Sequence, residues 1–174
     1  KKFIFDRLNT WIKISKSKKC WDAKIFTPRV NQFKKLINKY HGDLPLVFSH
    51  GHLTANDIYA KNGKYYLLSN LFWGYRPKYY DLAFNIWANL LRLPSNYTFN
   101  QTLAYLNKWI SAYRAISWIK KQDDFEKVFP IMLLERLLGS IIIDLGIKRH
   151  EKNFKKRLFN IHLQLFDYFL EQTQ

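Results

Sequence analysis

From Tyr79 to the C-terminus apolar residues recur at helical spacing, and this run constrains the fold more than any other feature of the chain. Its segments are YYDLAFNIWANLLRL, Phe99 to about Trp118, Asp123 to about Leu145, and Glu151 to about Glu171. Pro94, Ser95 and Asn96 break the first from the second. Gln122, Asp123 and Asp124 supply cap chemistry for the third, and Gly146 can terminate it. Pro130 lies inside the third segment and predicts either a later start or a kink there. Glu135 with Arg136, and Asp144 with Lys148, read as solvated helix-spaced charges.

Ahead of this helical half lies a short β region. LPLVFSH is a strand-type run, and DIYAKNGKYYLLSNLFW reads as two strands joined at Asn62-Gly63, a pair that tolerates the positive backbone angles of a tight hairpin. The segment Tyr75 to Tyr80 is a basic aromatic cluster, read either as a packed turn or as a stacking surface.

Two more amphipathic helices precede the β region. FIFDRLNTWIKI places Phe5, Leu8, Trp11 and Ile12 on one face, and VNQFKKLINKY does the same with Val30, Phe33, Leu36, Ile37 and Tyr40. The basic stretch between them reads as irregular, with Thr27 and Pro28 as cap and first-turn pair and Gly42 as the stop. The predicted order is helices, a small β region, then four helices, a mainly α member of the α+β class forming one domain over 1–174. It divides into a basic helical lead-in (1–27), a middle section (28–78) and a helical subdomain (79–174).

The formal charge of +16 arises from 29 Lys and Arg against 13 Asp and Glu. Residues 1–40 hold twelve basic and two acidic side chains, so the N-terminal segment is the best candidate for an anion-binding surface, with Lys13, Lys16, Lys18, Lys19 and Lys24 in one run. That reading admits a nucleic acid or an anionic membrane as a non-specific partner, since no helix-turn-helix or zinc finger is legible. A single cysteine, Cys20, excludes an intrachain disulfide and a cysteine zinc cluster, and it points to a reducing, cytoplasmic location. No uninterrupted apolar stretch reaches the roughly 18 residues of a membrane span. The six tryptophans read mostly as core residues, and His41 and His150 as solvated helix-end residues.

Two blocks carry most of the chemistry. HGHLTAND brings His50, His52 and Asp57 together after a strand, and YYLLSNLFWGYRPKYYDLA ends on Tyr80, Asp81, Leu82 and Ala83. In this order and spacing, over roughly residues 28–150, the chain resembles the C-terminal lobe of the aminoglycoside phosphotransferase and choline kinase family, relatives of protein kinases. The resemblance implies a protein-kinase-like C-lobe, ATP and magnesium as cofactors, and a small molecule whose hydroxyl receives the γ-phosphate. In that frame His50 holds the loop and Asp81 is structural.

The positions of chemistry differ from the family pattern. His52 stands where the family has its catalytic Asp, Asp57 where it has a magnesium-binding Asn, and Ser69 or Asn70 where it has the second metal-binding Asp. Magnesium requires hard oxygen ligands including carboxylates, so the replacements predict weak metal binding and a degenerate, pseudokinase-like domain. His52 could instead serve as general base in an active small-molecule kinase, with Asp57 as metal ligand. A zinc site from His50, His52 and Asp57 would need three ligands converging from one short loop, and no metal is assigned. Asp81 itself is read as the N-terminal carboxylate of its helix. The six glycines form no phosphate-binding motif, so no N-lobe is legible, and with Lys1 at the first position the chain reads as a C-lobe cut from a longer protein or one that has lost its partner lobe.

Overall fold

The computed structural model describes residues 1–68, 71–94 and 96–173. The order is α1 (Lys2–Ser17), α2 (Ala23–Lys39), β1 (Leu46–Ser49), β2 (Ile58–Lys61), β3 (Lys64–Leu67), β4 (Gly74–Pro77), α3 (Tyr80–Leu90), α4 (Phe99–Ala115), α5 (Ser117–Lys120), α6 (Phe125–Gly139) and α7 (Lys156–Thr173). The α+β, mainly helical class is as the periodicity predicts.

α6 is the centre of the molecule. Its sequence FEKVFPIMLLERLLG is apolar around nearly the whole circumference, and such a helix is stable only when covered on all sides. α3 and α7 pack closely on it, α2 and α1 more lightly. Ile4, Leu8, Phe26, Phe33, Ile86, Leu106, Met132 and Phe166 are among the side chains that this arrangement buries completely. Glu135 and Arg136 are buried as well, at 1% and 6% exposure, which corrects the reading of them as solvated charges. Each is admitted by a partner: Arg7 Nε donates to Glu135 Oε1 at 2.6 Å, and Arg136 Nη2 lies 3.4 Å from Asp144 Oδ2.

Several local expectations change. α2 starts five residues ahead of Pro28, because Asp22 caps it by accepting from Lys24 N and Ile25 N, and because Phe26 extends the apolar stripe one turn back. Thr27 and Pro28 are therefore exposed positions inside the helix. Gly42 does not cap α2, whose last residue is followed by Tyr40 in an extended conformation. The buried face of α1 is Ile4, Leu8 and Ser15, with Phe5 at its edge.

Asp124 precedes α6 without making a cap bond. Its carboxylate instead accepts from Lys78 Nζ at 3.0 Å and Tyr79 Oη at 2.5 Å. Pro130 is tolerated well inside α6, and Ile116 separates α4 from α5. The third helical segment ends at Gly139 in a π-helical turn, Ser140–Asp144. Gly146 follows it, where a Cβ would lie 2.2 Å from the Ile141 carbonyl oxygen. α7 begins five residues later than Glu151. Of the tryptophans, Trp73 and Trp118 are exposed rather than packed. The predicted break at Pro94 to Asn96 includes Ser95, which lies outside the described residues.

The β region forms two separate antiparallel pairs, β2 with β3 and β1 with β4. The first is the predicted hairpin: Asn62 (φ 51°) and Gly63 (φ 70°) make its two-residue turn. The second was not legible, since β4 falls in the segment read as a turn or stacking surface. Its register, Leu46 opposite Pro77 through Ser49 opposite Gly74, brings the end of β1 under the residues that precede α3.

Candidate functional site

The loop SHGHLTAND leaves β1 at Ser49 and is fixed at once by α3. The Asp81 carboxylate accepts both backbone amides of the first two loop residues, His50 N to Oδ2 and Gly51 N to Oδ1, each at 2.8 Å. Asp81 lies in the first turn of α3, yet its oxygens face the loop, so its role is a strap between two segments 30 residues apart rather than only a helix-end charge. A carboxylate taking two N–H bonds in this bidentate way fixes the loop's direction as well as its position.

Gly51 is required where the strap is tied. Its φ is +80°, and a Cβ there would stand 2.4 Å from both the Phe72 carbonyl oxygen and Arg76 Cζ. Arg76, from β4, thus lies directly over the loop backbone, with its guanidinium 5.4 Å from the Tyr80 ring centroid.

His50 is 2% exposed. Its Nε2 is 2.9 Å from the Leu68 carbonyl oxygen, which can only accept, so Nε2 carries a proton there. Its ring meets Trp73 edge-on at 5.0 Å. These contacts place His50 as the post that holds the loop against the end of β3.

His52 faces solvent. Its ring stacks on Phe72 at 5.1 Å and leans on Phe84 at 4.8 Å. Behind Phe84 the wall continues as aromatic and guanidinium groups: Trp87 at 4.8 Å from Phe84, and Arg136 Cζ 4.3 Å from the Trp87 ring and 5.1 Å from that of Phe84.

Asp57 closes the loop. Its Oδ2 accepts from Thr54 N at 2.7 Å and Thr54 Oγ1 at 2.8 Å, a reciprocal cap around the short 3-10 turn Ala55–Asp57. Its carbonyl accepts from Leu68 N at 2.7 Å. Partial burial would raise the Asp57 pKa, but the Thr54 bonds and the nearby His50 and His52 outweigh it and hold the carboxyl below its ordinary value. One of its two oxygens is thus engaged by the turn, and only Oδ1 could face a cation.

Of the expected site residues, His50, His52, Asp57 and Asp81 come together around one loop, while Ser69 and Asn70 lie outside the described residues. The alternative zinc set does not converge: His50 points to Leu68 and Asp57 to Thr54, and among the described residues no cluster of three or more His, Cys, Asp or Glu could hold a metal ion. Thr54, Phe72 and Phe84 were not singled out as site residues, and Arg76 only within the basic aromatic cluster Tyr75 to Tyr80. Only Thr54 had left a clear signal, the Thr-x-x-Asp spacing of a capping box.

The Lys13 to Lys24 run is exposed at the junction of α1 and α2, where Lys16 lies over Trp21 at 5.6 Å. Cys20 is buried, with Sγ 3.2 and 3.3 Å from the Lys18 and Ile147 carbonyl oxygens. No described helix is long and apolar enough to cross a membrane. No family model, curated protein or solved structure matches the chain.

Proposed function

We propose that the chain is a protein-kinase-like C-terminal lobe of the aminoglycoside phosphotransferase and choline kinase type, retaining the frame of the catalytic loop without its metal chemistry. The observation that carries this reading is the Asp81 strap, because it joins the two sequence blocks on which the resemblance rests, HGHLTAND and YYDLA, into one site. Ancestral function is then transfer of the ATP γ-phosphate to a small-molecule hydroxyl, and the present domain is degenerate.

ATP with magnesium does not fit the residues present. The group at the base position is an imidazole packed on two rings, and Asp57 spends one oxygen on Thr54. Magnesium prefers octahedral oxygen ligation with carboxylates free to supply it. No step is therefore assigned to the metal. What remains to the loop is to present a polar, preorganised surface: an exposed imidazole, flanked by Phe72 and Phe84, at the foot of a two-stranded sheet.

A partner lobe is part of this reading. The β region leaves large apolar side chains exposed: Leu71, between β3 and β4, is 100% exposed, Tyr65 81%, Tyr75 69% and Phe48 62%, and neither β2 nor β3 contains a buried residue. Exposed apolar side chains in this number favour an interaction surface. An N-terminal lobe of a longer parent chain would cover it.

The test is γ-phosphate transfer from labelled ATP by the parent protein, with and without magnesium, over a panel of hydroxyl acceptors. The degenerate reading predicts no magnesium-dependent product. Transfer that is lost on His52→Ala would instead establish the active alternative, with His52 as base.

The five exposed lysines of the α1–α2 junction support a second reading, a basic module for nucleic acid. Replacing them by Glu should abolish salt-dependent RNA or DNA binding if that reading holds, with log K falling by about 0.9 per neutralised duplex phosphate against log salt before the replacement. Binding without salt dependence would remove it.

A further inference from the structure

A cavity of about 390 Å³ opens where the end of α3, the start of α4 and the first turns of α7 meet, far in sequence from the loop. Leu91, Leu93 and Pro94 line one side, and Phe154, Leu158 and Ile161 the other. Thr102 also lines it; this side chain is 1% exposed and its hydroxyl is already donated to the Thr98 carbonyl at 2.8 Å. Tyr97, half-buried, adds a phenol, and the rest of the wall named above is apolar. Volume and apolar lining both fall within the ordinary range of small-molecule sites, about 300–1,000 Å³.

The polar contribution has one sign. Lys155, Lys156 and Arg157 line the same cavity and are exposed, which places their charges at its rim, and among the described residues no acidic side chain lines it. Arg157 Nη2 donates to the Asn96 carbonyl at 2.9 Å. Among the described residues neither lysine takes part in an ion pair. Three adjacent cations held beside an apolar void, none of them in an ion pair among the described residues, are complementary to a ligand with an apolar body and an anionic head. A neutral apolar ligand would leave the cations unused. A nucleotide or sugar phosphate would bring more polar groups than the Tyr97 phenol and the mainly apolar wall can satisfy.

We propose that this cavity binds a fatty acid, with the acyl chain between α3 and α7 and the carboxylate held by Lys155, Lys156 and Arg157. The proposal does not depend on the phosphotransferase reading, although Arg92, between the lining residues Leu91 and Leu93, reaches Asn56 of the loop at 3.4 Å.

Calorimetric titration of the chain with dodecanoate tests the proposal, with dodecyltrimethylammonium as the ligand of equal chain and opposite charge. The expected result is saturable binding of one dodecanoate per chain. It should weaken at least about tenfold in Lys155→Glu/Lys156→Glu, where attraction becomes repulsion at two exposed positions that tolerate substitution. Leu93→Trp, which fills the cavity, should weaken it similarly, with folding checked by circular dichroism. Leu71→Ser, in the exposed segment between β3 and β4, should leave it unchanged. Equal affinity for the cationic ligand, indifference to the charge reversal, or loss of binding in Leu71→Ser would each overturn the proposal.

Discussion

Removing the Asp81 carboxylate should detach the loop from α3, and the size of the effect separates two roles for this residue. As a helix-end charge alone it would be worth about 0.3–1 kcal/mol. As the acceptor of the His50 and Gly51 amides it makes two charge-assisted bonds, each worth about 1.5–3 kcal/mol, and its loss leaves two donors unpaired at a partly buried site. Allowing for water entry, Asp81→Ala should cost about 3 kcal/mol. Asp81→Asn keeps one acceptor but turns an amide N–H toward the other donor, so it should cost about 2 kcal/mol. Urea unfolding followed by tryptophan fluorescence measures this as a midpoint shift of roughly 1.5 M, taking a urea slope of about 2 kcal/mol/M. The slope itself should not change. Hydrogen exchange supplies the local readout: the His50 and Gly51 amides should lose protection in both variants. A loss below about 1 kcal/mol with unchanged exchange at these amides would refute the strap and leave only the helix-end role.

Two further outcomes follow from single side chains. His162 is fully buried, its Nδ1–H donates to the Leu158 carbonyl at 2.8 Å, Nε2 has no partner, and burial pushes its pKa down to about 4. Because an unfolded imidazole takes up its proton near pH 6.5 and the folded one only near 4, stability should fall as pH drops between these values, by about 3 kcal/mol in all. Urea midpoints across this range should flatten in His162→Leu; an equally steep dependence there would contradict the assignment. Gly51→Ala should cost at least about 1 kcal/mol more than Gly63→Ala, since both have positive φ but only Gly51 lacks room for a methyl group. Equal costs in thermal unfolding would show that the loop yields at Gly51.

Much of the helical half was legible because it depends on local signals. Apolar spacing located α3 and α4 to within about three residues and placed the start of α7 five residues early, and Asn62-Gly63 fixed its hairpin because only a few residue types favour two consecutive positive φ angles. The errors arise where a distant contact decides. The start of α2 depends on Asp22, which also accepts from Arg149 at 2.9 Å, and Asp124 serves Lys78 and Tyr79 instead of its own helix. Glu135 and Arg136 looked solvated because their partners, Arg7 and Asp144, come from other elements. The site behaved likewise: the loop residues were visible as a motif, while Arg76 and the neighbouring Phe72 reach them through the β1–β4 pairing, which leaves little periodic trace in a four-residue strand, and Phe84 through α3 and its Asp81 strap.

The central claim is that the loop keeps its frame and has lost its divalent-metal chemistry. Manganese, a paramagnetic substitute for magnesium, tests it directly when titrated into the chain with ATP while the amide signals of residues 50–57 are followed by NMR. The account predicts ordered amides at His50 and Gly51 with no saturable broadening at Asp57 in the micromolar range. Saturable broadening centred on Asp57 at micromolar manganese would contradict it and restore a working metal site.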